Sequence, residues 1–539
     1  MIHIRNVLIC DGSGTKPFPG ELLIEGDKIL EVSSAPLHPA DALTLDAEGR
    51  TAAPGFIDAH RHCDFAALSG DSFGDLELAQ GITTAVCGNC GLAPVPAAPD
   101  GRDELYDFLE PCLGKAPEGC FFPSYPDYFS ALERAPKKLN LGVLAASGAV
   151  TAACKGFGNV PFTEPLLRKA EDALSQAMEA GALGLSCGIM YTPECWTERE
   201  SFVRMARAVG KRGGYLTSHI RGEGDSLAAS VREVIEIGEE AELPVNISHF
   251  KVTGVHNWGH GLRQAIGEIE AARARGLDVT ADCYPYPAGS TTALSLVPPS
   301  VLAASGCSLP AFLGTEQGAG LLEAELGRDF PGWDNMVSSI GWERIVLSSF
   351  ARQEDSGLAG KNLLEAAELS SEPPARLLAR LIAENRGKVG VILMSMAPED
   401  VETVLSLPYV SLISDALYGG GDMPHPRLYG SFPRLIRDYV VERGVMALET
   451  AVRKMTALPA KRLGLAGRGL LKPGFQADIL LFYPERLRDN ATFAQPARLS
   501  TGIDLVLVNG VLRNNAPLSG RLAGIPSEFF PGRVLRKGN

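Results

Sequence analysis

The chain has 539 residues, 45% of them hydrophobic and 21% charged, with a formal net charge of −14. That acidity argues against an extended nucleic-acid surface, and no apolar run is long enough to span a membrane. The 59 glycines and 37 prolines are spread along the chain, so they mark many turns and not a disordered tract.

The opening stretch MIHIRNVLICDGSG has no basic start, sustained apolar core or small-residue cleavage site, which points to a cytoplasmic protein. The 11 cysteines lack framework spacing and read as reduced thiols. Residues 21–32 are apolar on both sides of Gly26-Asp27, a hairpin pattern. The far end repeats the pattern at 477–484 and 504–514, where Asn509-Gly510 is a strong two-residue turn signal. Both ends are therefore expected to build one small β-sandwich domain, from residues 1–53 and 460–539.

Between them, strand-like and helix-like segments alternate. Candidate strands lie at 55–62, 83–90, 141–147, 181–188, 214–220, 245–251, 278–286 and 410–416. Amphipathic helices are expected at 163–181, with Thr163 as its cap, and at 225–242. Eight such runs with helical crossovers predict an α/β fold, a (β/α)8 barrel over 54–459; a doubly wound sheet is the alternative. An excess at about 287–405 is too long for an ordinary loop and is expected to form a lid. It holds two further strand-like runs, ERIVLSSF and KVGVILMSM, either of which could replace one of the eight.

Parallel barrels gather their chemistry at the C-terminal ends of the strands. Those ends carry His60 and His62 on the first strand, Cys90 on the second, His219 on the fifth, His249 on the sixth and Asp415 on the eighth. An isolated His-x-His reads as readily as a hydrogen-bonded core pair; convergence of six ligand side chains on one rim favours a metal. Imidazole, thiolate and carboxylate together favour zinc over magnesium or calcium.

The segments PGFIDAHRH, QGITTAVCGNCG, GLSCGIMYTP, LTSHIRGEG, NISHFKVTG, DCYPYPAGST and SDALYGGGDMPHPRLYGSFPR together resemble the N-acyl-D-amino-acid deacylase (D-aminoacylase) family of the amidohydrolase superfamily. The resemblance implies that Cys90, His219 and His249 hold a tightly bound zinc. His60, His62 and Asp415 would surround a second, weaker position that Cys90 bridges. Many amidohydrolases bridge two metals with a carboxylated lysine from the fourth strand; GALGLSCG has none, and its Cys187 is a rival ligand. The resemblance further implies that Asp415 is the general base and acid for amide hydrolysis, that Arg427 binds the substrate α-carboxylate with help from Lys251, and that Tyr284 and Ser290 contact the substrate, Tyr284 donating to the developing oxyanion. Tyr191 is a further contact candidate, and Arg221 is left outside the site.

The implied reaction is hydrolysis of an N-acyl-D-amino acid, a small-molecule substrate, with no nucleic-acid or membrane partner. The D preference comes from the resemblance alone. A cyclic-amide hydrolase and a non-catalytic metal-holding barrel are the other readings. The sequence departs from the family pattern at HIRGE, where a carboxylate is missing, and at Glu194, Cys195 and Trp196. No role follows for His256, His260 or His425.

Overall fold

Eight short apolar runs pair in parallel in the order in which they occur along the chain. In the computed structural model, Phe56–Asp58 pairs with Ile82–Cys87, and that strand with Asn140–Val143. The third run continues as Ala145–Ala146, which pairs with Leu185–Gly188. From there the ladder passes through Leu216–His219, Val245–Ile247 and Val279–Cys283 to Val410–Leu412. Ala416–Leu417, just beyond the last strand, then pairs in parallel with Arg61–His62, just beyond the first. The eighth run thus returns to the first, and the ring of pairs closes as a (β/α)8 barrel. Described are residues 1–538 apart from 71–72, 307, 329, 331, 420, 422 and 513–529.

The strands are buried on both faces, which is why they read as continuous apolar runs and not as alternating ones. The helices between them bury one stripe. Leu227–Ala241 turns Leu227, Val231, Val234, Gly238 and Ala241 inward, a three-to-four-residue spacing that matches the helical period. Glu164–Ala180 begins at a proline-bearing first turn and ends where Gly181 takes φ 112°. Thr163 occupies the cap position there, but its side chain makes no capping hydrogen bond.

The two extra runs in the long segment are not barrel strands. Ile345–Phe350 and Val389–Leu393 pair antiparallel with each other, and the latter with Gly289–Thr292. Helices Leu363–Ser370 and Pro374–Glu384 pack with this sheet into a core of their own. Local composition cannot separate such a run from a barrel strand, since both are buried and β-branched. The first strand is also broken: the run expected over 55–62 is interrupted at Ala59 and His60.

At the chain ends, Ile2–Ile9 pairs antiparallel with Phe18–Glu25 and parallel with Leu43–Asp46 and Thr51–Pro54. Thr51–Pro54 pairs in turn with Ile479–Phe482, and that strand with Ile503–Val508. Inward side chains from both ends, among them Ile4, Leu22, Ile479 and Leu505, form one core separate from the barrel's. Both expected hairpins are present, with Gly26 at φ 58° and Asn509-Gly510 at φ 49° and 77°. The last two residues of the 504–514 run lie outside the described residues. Two pieces after 456 pack on the barrel: Ala460 and Leu463 against Ile57, and residues 532–537 through hydrogen bonds to Lys137, Leu141 and Gly181. Among the described residues no helix is long and apolar enough to cross a membrane.

Candidate metal centre

The strand ends bring the six expected ligand side chains to one place. Cys90 Sγ lies 3.2 Å from His60 Nε2 and 3.5 Å from His249 Nε2. The donor atoms of His60, His62 and Cys90 lie within 4.8 Å of one another, and so do those of Cys90, His219 and His249. Cys90 belongs to both triads. Asp415 Oδ1 stands 3.4 Å from His60 Nε2 and 3.3 Å from His62 Nε2. The fourth strand's Cys187 is buried in the barrel core and joins neither triad.

The donor set fits a zinc ion on physical grounds. Both ring nitrogens of His219 are buried without a hydrogen-bond partner, a costly arrangement unless something else coordinates them. Burial pushes His219 down to about 3, and His60 well below its ordinary value, so both rings are neutral and free to ligate. Burial, and then the Asp415 charge, raises the Cys90 thiol well above its usual range. A thiol in that setting becomes a thiolate ligand only beside a cation. The side chains here are the soft and imidazole donors that zinc takes in closed clusters.

Backbone geometry turns these side chains inward. Cys90, His249 and Asp415 have φ of 54°, 35° and 50°, the left-handed region that non-glycine residues seldom enter. The Asp415 amide donates to the His60 carbonyl at 2.9 Å, and the His249 amide to Asp282 Oδ1 at 2.5 Å. Asp282, which burial raises to about 7, also accepts from Asn246 at 2.6 Å. Behind Cys90, Glu194 Oε2 accepts from the Gly188 amide at 2.8 Å, and a Cβ at Gly91 would stand 2.1 Å from that oxygen. Glu194 therefore packs directly under the Cys90-Gly91 turn.

Around the ring lies a cavity whose lining includes every expected substrate contact. Arg427 Nη1 is 2.7 Å from Asp415 Oδ2, its Nη2 donates to the Ser290 carbonyl at 3.1 Å, and its guanidinium stands 4.7 Å over the Tyr284 ring. Tyr284 has a buried hydroxyl with no partner. Tyr191 contacts Thr291 Oγ1 at 3.2 Å, and its ring packs against His219 with centroids 4.7 Å apart and planes tilted by 56°. Lys251 is more engaged than expected. It pairs with Glu223 and lies 2.9 Å from His249 Nδ1, while that nitrogen, on the ring whose Nε2 faces Cys90, donates to Glu223 at 3.0 Å. Although burial opposes it, the Lys251 charge holds Glu223 well below the usual carboxylate range.

Three of these partners escape sequence reasoning. Glu223 follows the end of Leu216–His219 by four residues, where nothing in the spacing separates it from a solvent-facing loop acid, and Asp282 lies within Val279–Cys283, where it reads as one polar residue in an apolar run. His425 is the third: it accepts from the Arg427 amide at 3.0 Å through Nδ1, which leaves Nε2 to donate to the Ala288 carbonyl at 3.0 Å. It thereby fixes the first turn of the helix Arg427–Arg434. His256 and His260 are exposed, the former paired with Asp225 at 2.6 Å. Arg221 pairs with Glu233 at 2.8 Å.

A model of the amidohydrolase family matches residues 379–513. The chain is 33% identical to a D-aminoacylase of Alcaligenes xylosoxydans xylosoxydans over 504 residues, 93% of this chain and 92% of that protein. It is 32% identical to an N-acyl-D-glutamate deacylase of the same organism over 530 residues, 98% of this chain and 95% of that one. Among solved structures, an N-acyl-D-glutamate deacylase from Bordetella bronchiseptica, complexed with zinc and a phosphonate that mimics the tetrahedral intermediate, matches with a TM-score of 0.81. Its identity is 30%, over 99% of each chain.

Proposed function

The chain belongs to the D-aminoacylase family of amidohydrolases, and from that premise we propose that it is a zinc-dependent hydrolase of N-acyl-D-amino acids. It cleaves the linear amide to a carboxylate and a free D-amino acid. The observation that carries this reading is the buried ring of Cys90, His219 and His249, with His60, His62 and Asp415 closing its other side.

In the proposal Cys90, His219 and His249 hold the tightly bound zinc, and His60, His62 and Asp415 line a second, weaker position with Cys90 between the two. A zinc ion held there would supply a Lewis acid for the amide carbonyl and would lower the pKa of a water to about 7. Asp415 takes the proton of the attacking water. Burial opposes its ionisation, but the Arg427 charge and the His62 hydrogen bond hold it well below the ordinary carboxylate range, so it begins as the base. It then returns that proton to the nitrogen, since an amine leaves poorly unless protonated. Arg427 binds the α-carboxylate through a planar fork suited to that group. Tyr284, with its unpartnered hydroxyl, donates to the substrate from the same wall, beside Ser290 and Tyr191. Lys251 adds positive charge behind the carboxylate and holds Glu223, which accepts from His249 Nδ1 and keeps that ring turned.

A cyclic-amide hydrolase of the lysine-bridged kind lacks its bridge here, because Leu185–Gly188 carries no lysine. The proposal includes a cytoplasmic location, supported by ten described cysteines that are all free thiols. The deciding experiment is metal analysis of the purified protein together with an assay of N-acetyl-D-amino acids, their L enantiomers and hydantoins. Zinc with turnover of the D series alone is expected; turnover of hydantoins alone, or bound zinc with no turnover, overturns the reading.

A further inference from the structure

Whole-chain similarity leaves the substrate's side chain open, since the identities to a D-aminoacylase and to an N-acyl-D-glutamate deacylase are 33% and 32%. The charges lining the cavity bear on it directly. Two cations, Lys251 and Arg427, face three carboxylates, Glu223, Asp334 and Asp415. Each cation already has an anion: Lys251 is paired with Glu223, and Arg427 Nη1 lies 2.7 Å from Asp415. Arg427 still has Nε without a hydrogen-bond partner, and the unpartnered Tyr284 hydroxyl sits on the same wall. That is a receptor for one carboxylate.

Asp334 comes from the long inserted segment and reaches the loop after the fifth strand. It accepts from the Gly224 amide at 2.6 Å, the Ser226 amide at 3.2 Å and the Ser226 hydroxyl at 3.0 Å. Its partners are neutral donors, so its negative charge remains for whatever enters the cavity. Other parts of the lining are apolar, with Leu92, Cys112, Met190 and Leu417 among them. A second substrate carboxylate would lose its water, meet no free cation among the described lining residues and face Asp334.

Resting on the deacylase reading, we propose that the substrate side chain is uncharged, and that Asp334 is a specificity-determining residue that turns away N-acyl-D-glutamate and N-acyl-D-aspartate. The test compares N-acetyl-D-glutamine with N-acetyl-D-glutamate, which share shape and differ in charge. The expected kcat/KM favours the glutamine compound at least tenfold. Asp334→Asn, which keeps an acceptor for the Gly224 amide, is expected to narrow that ratio by raising the glutamate value. Equal or better cleavage of the glutamate compound by the unaltered protein overturns the inference, and so does a ratio that Asp334→Asn leaves unchanged. Thermal protection by each compound gives a readout independent of turnover, with stronger protection by the glutamine compound expected. Failure of the deacylase reading looks different: neither compound is cleaved and neither protects.

Discussion

Cys90, His249 and Asp415 hold left-handed backbone conformations that cost on the order of 1–3 kcal/mol each outside glycine. The ring of donors is where that cost is offset. Cys90→Ser keeps the shape but not an ionisable sulfur, so it is expected to lose most bound zinc; metal analysis at unit stoichiometry would remove Cys90 from the ligand set. Asp415→Asn is expected to retain zinc and lower kcat by roughly 10²–10⁴-fold, the usual share of a proton carrier. Steady-state assay beside metal analysis checks both halves. Glu194 makes a separate prediction. Ser147 Oγ lies against the Ser186 carbonyl at 2.9 Å and against Glu194 Oε1, two acceptors for one hydroxyl proton. A protonated Glu194 resolves the conflict by donating to Ser147, and burial raises its pKa from 4.5 to about 7. Between those values the folded state binds more protons than the unfolded one, so this group's contribution to stability falls as pH rises from 4.5 to 7. Glu194→Gln mimics the protonated form, and should gain on the order of 1–3 kcal/mol over the parent at pH 8. The gain should vanish near pH 4.5, as read by denaturant unfolding at the two pH values.

The junction between the first and eighth strands depends on a fully buried arginine. Arg61 donates to Tyr418 Oη at 2.8 Å, to Asp58 and to Ser414 Oγ at 3.1 Å each, and pairs with Glu77 at 3.0 Å. It ties the two strands where the ladder is interrupted and where His60, His62 and Asp415 emerge. Arg61→Met leaves Asp58 and Glu77 buried without their cation, an expected loss of about 3–5 kcal/mol; a shift smaller than 1 kcal/mol in urea titration would show that the network is dispensable. The strands on either side are legible in the sequence because each is a short apolar run bounded by turn residues. The network is not, since an arginine inside PGFIDAHRH reads as a solvent-facing break. The same holds for Glu223 and His425, whose partners lie on other elements. The clustering of the six candidate donors was legible for one reason: a parallel barrel sends every strand end to the same rim, so sequence order alone predicts their neighbourhood. The antiparallel sheet of the inserted segment was not, because pairing direction is set by partners distant in sequence.

At the scale of the whole molecule, metal and fold are coupled. Six candidate donors from strands one, two, five, six and eight gather in one cluster, so an ion held among them would link segments that span most of the chain. A ligand that binds only the folded state adds about 4 kcal/mol at a thousandfold excess over its Kd. Chelation is therefore expected to lower the melting temperature as well as abolish hydrolysis, with zinc restoring both; unchanged melting on chelation would mean that the ion sits outside the ring. The sheet built from both ends has a consequence for biosynthesis. Thr51–Pro54 leaves the ribosome early, yet its neighbour Ile479–Phe482 emerges only when translation is almost finished. Throughout elongation the nascent amino-terminal strands have an unpaired edge open to wrong partners. Premature termination anywhere before that late strand should yield insoluble polypeptide instead of a shortened but working barrel, and chaperone demand should peak on the ribosome and not after release.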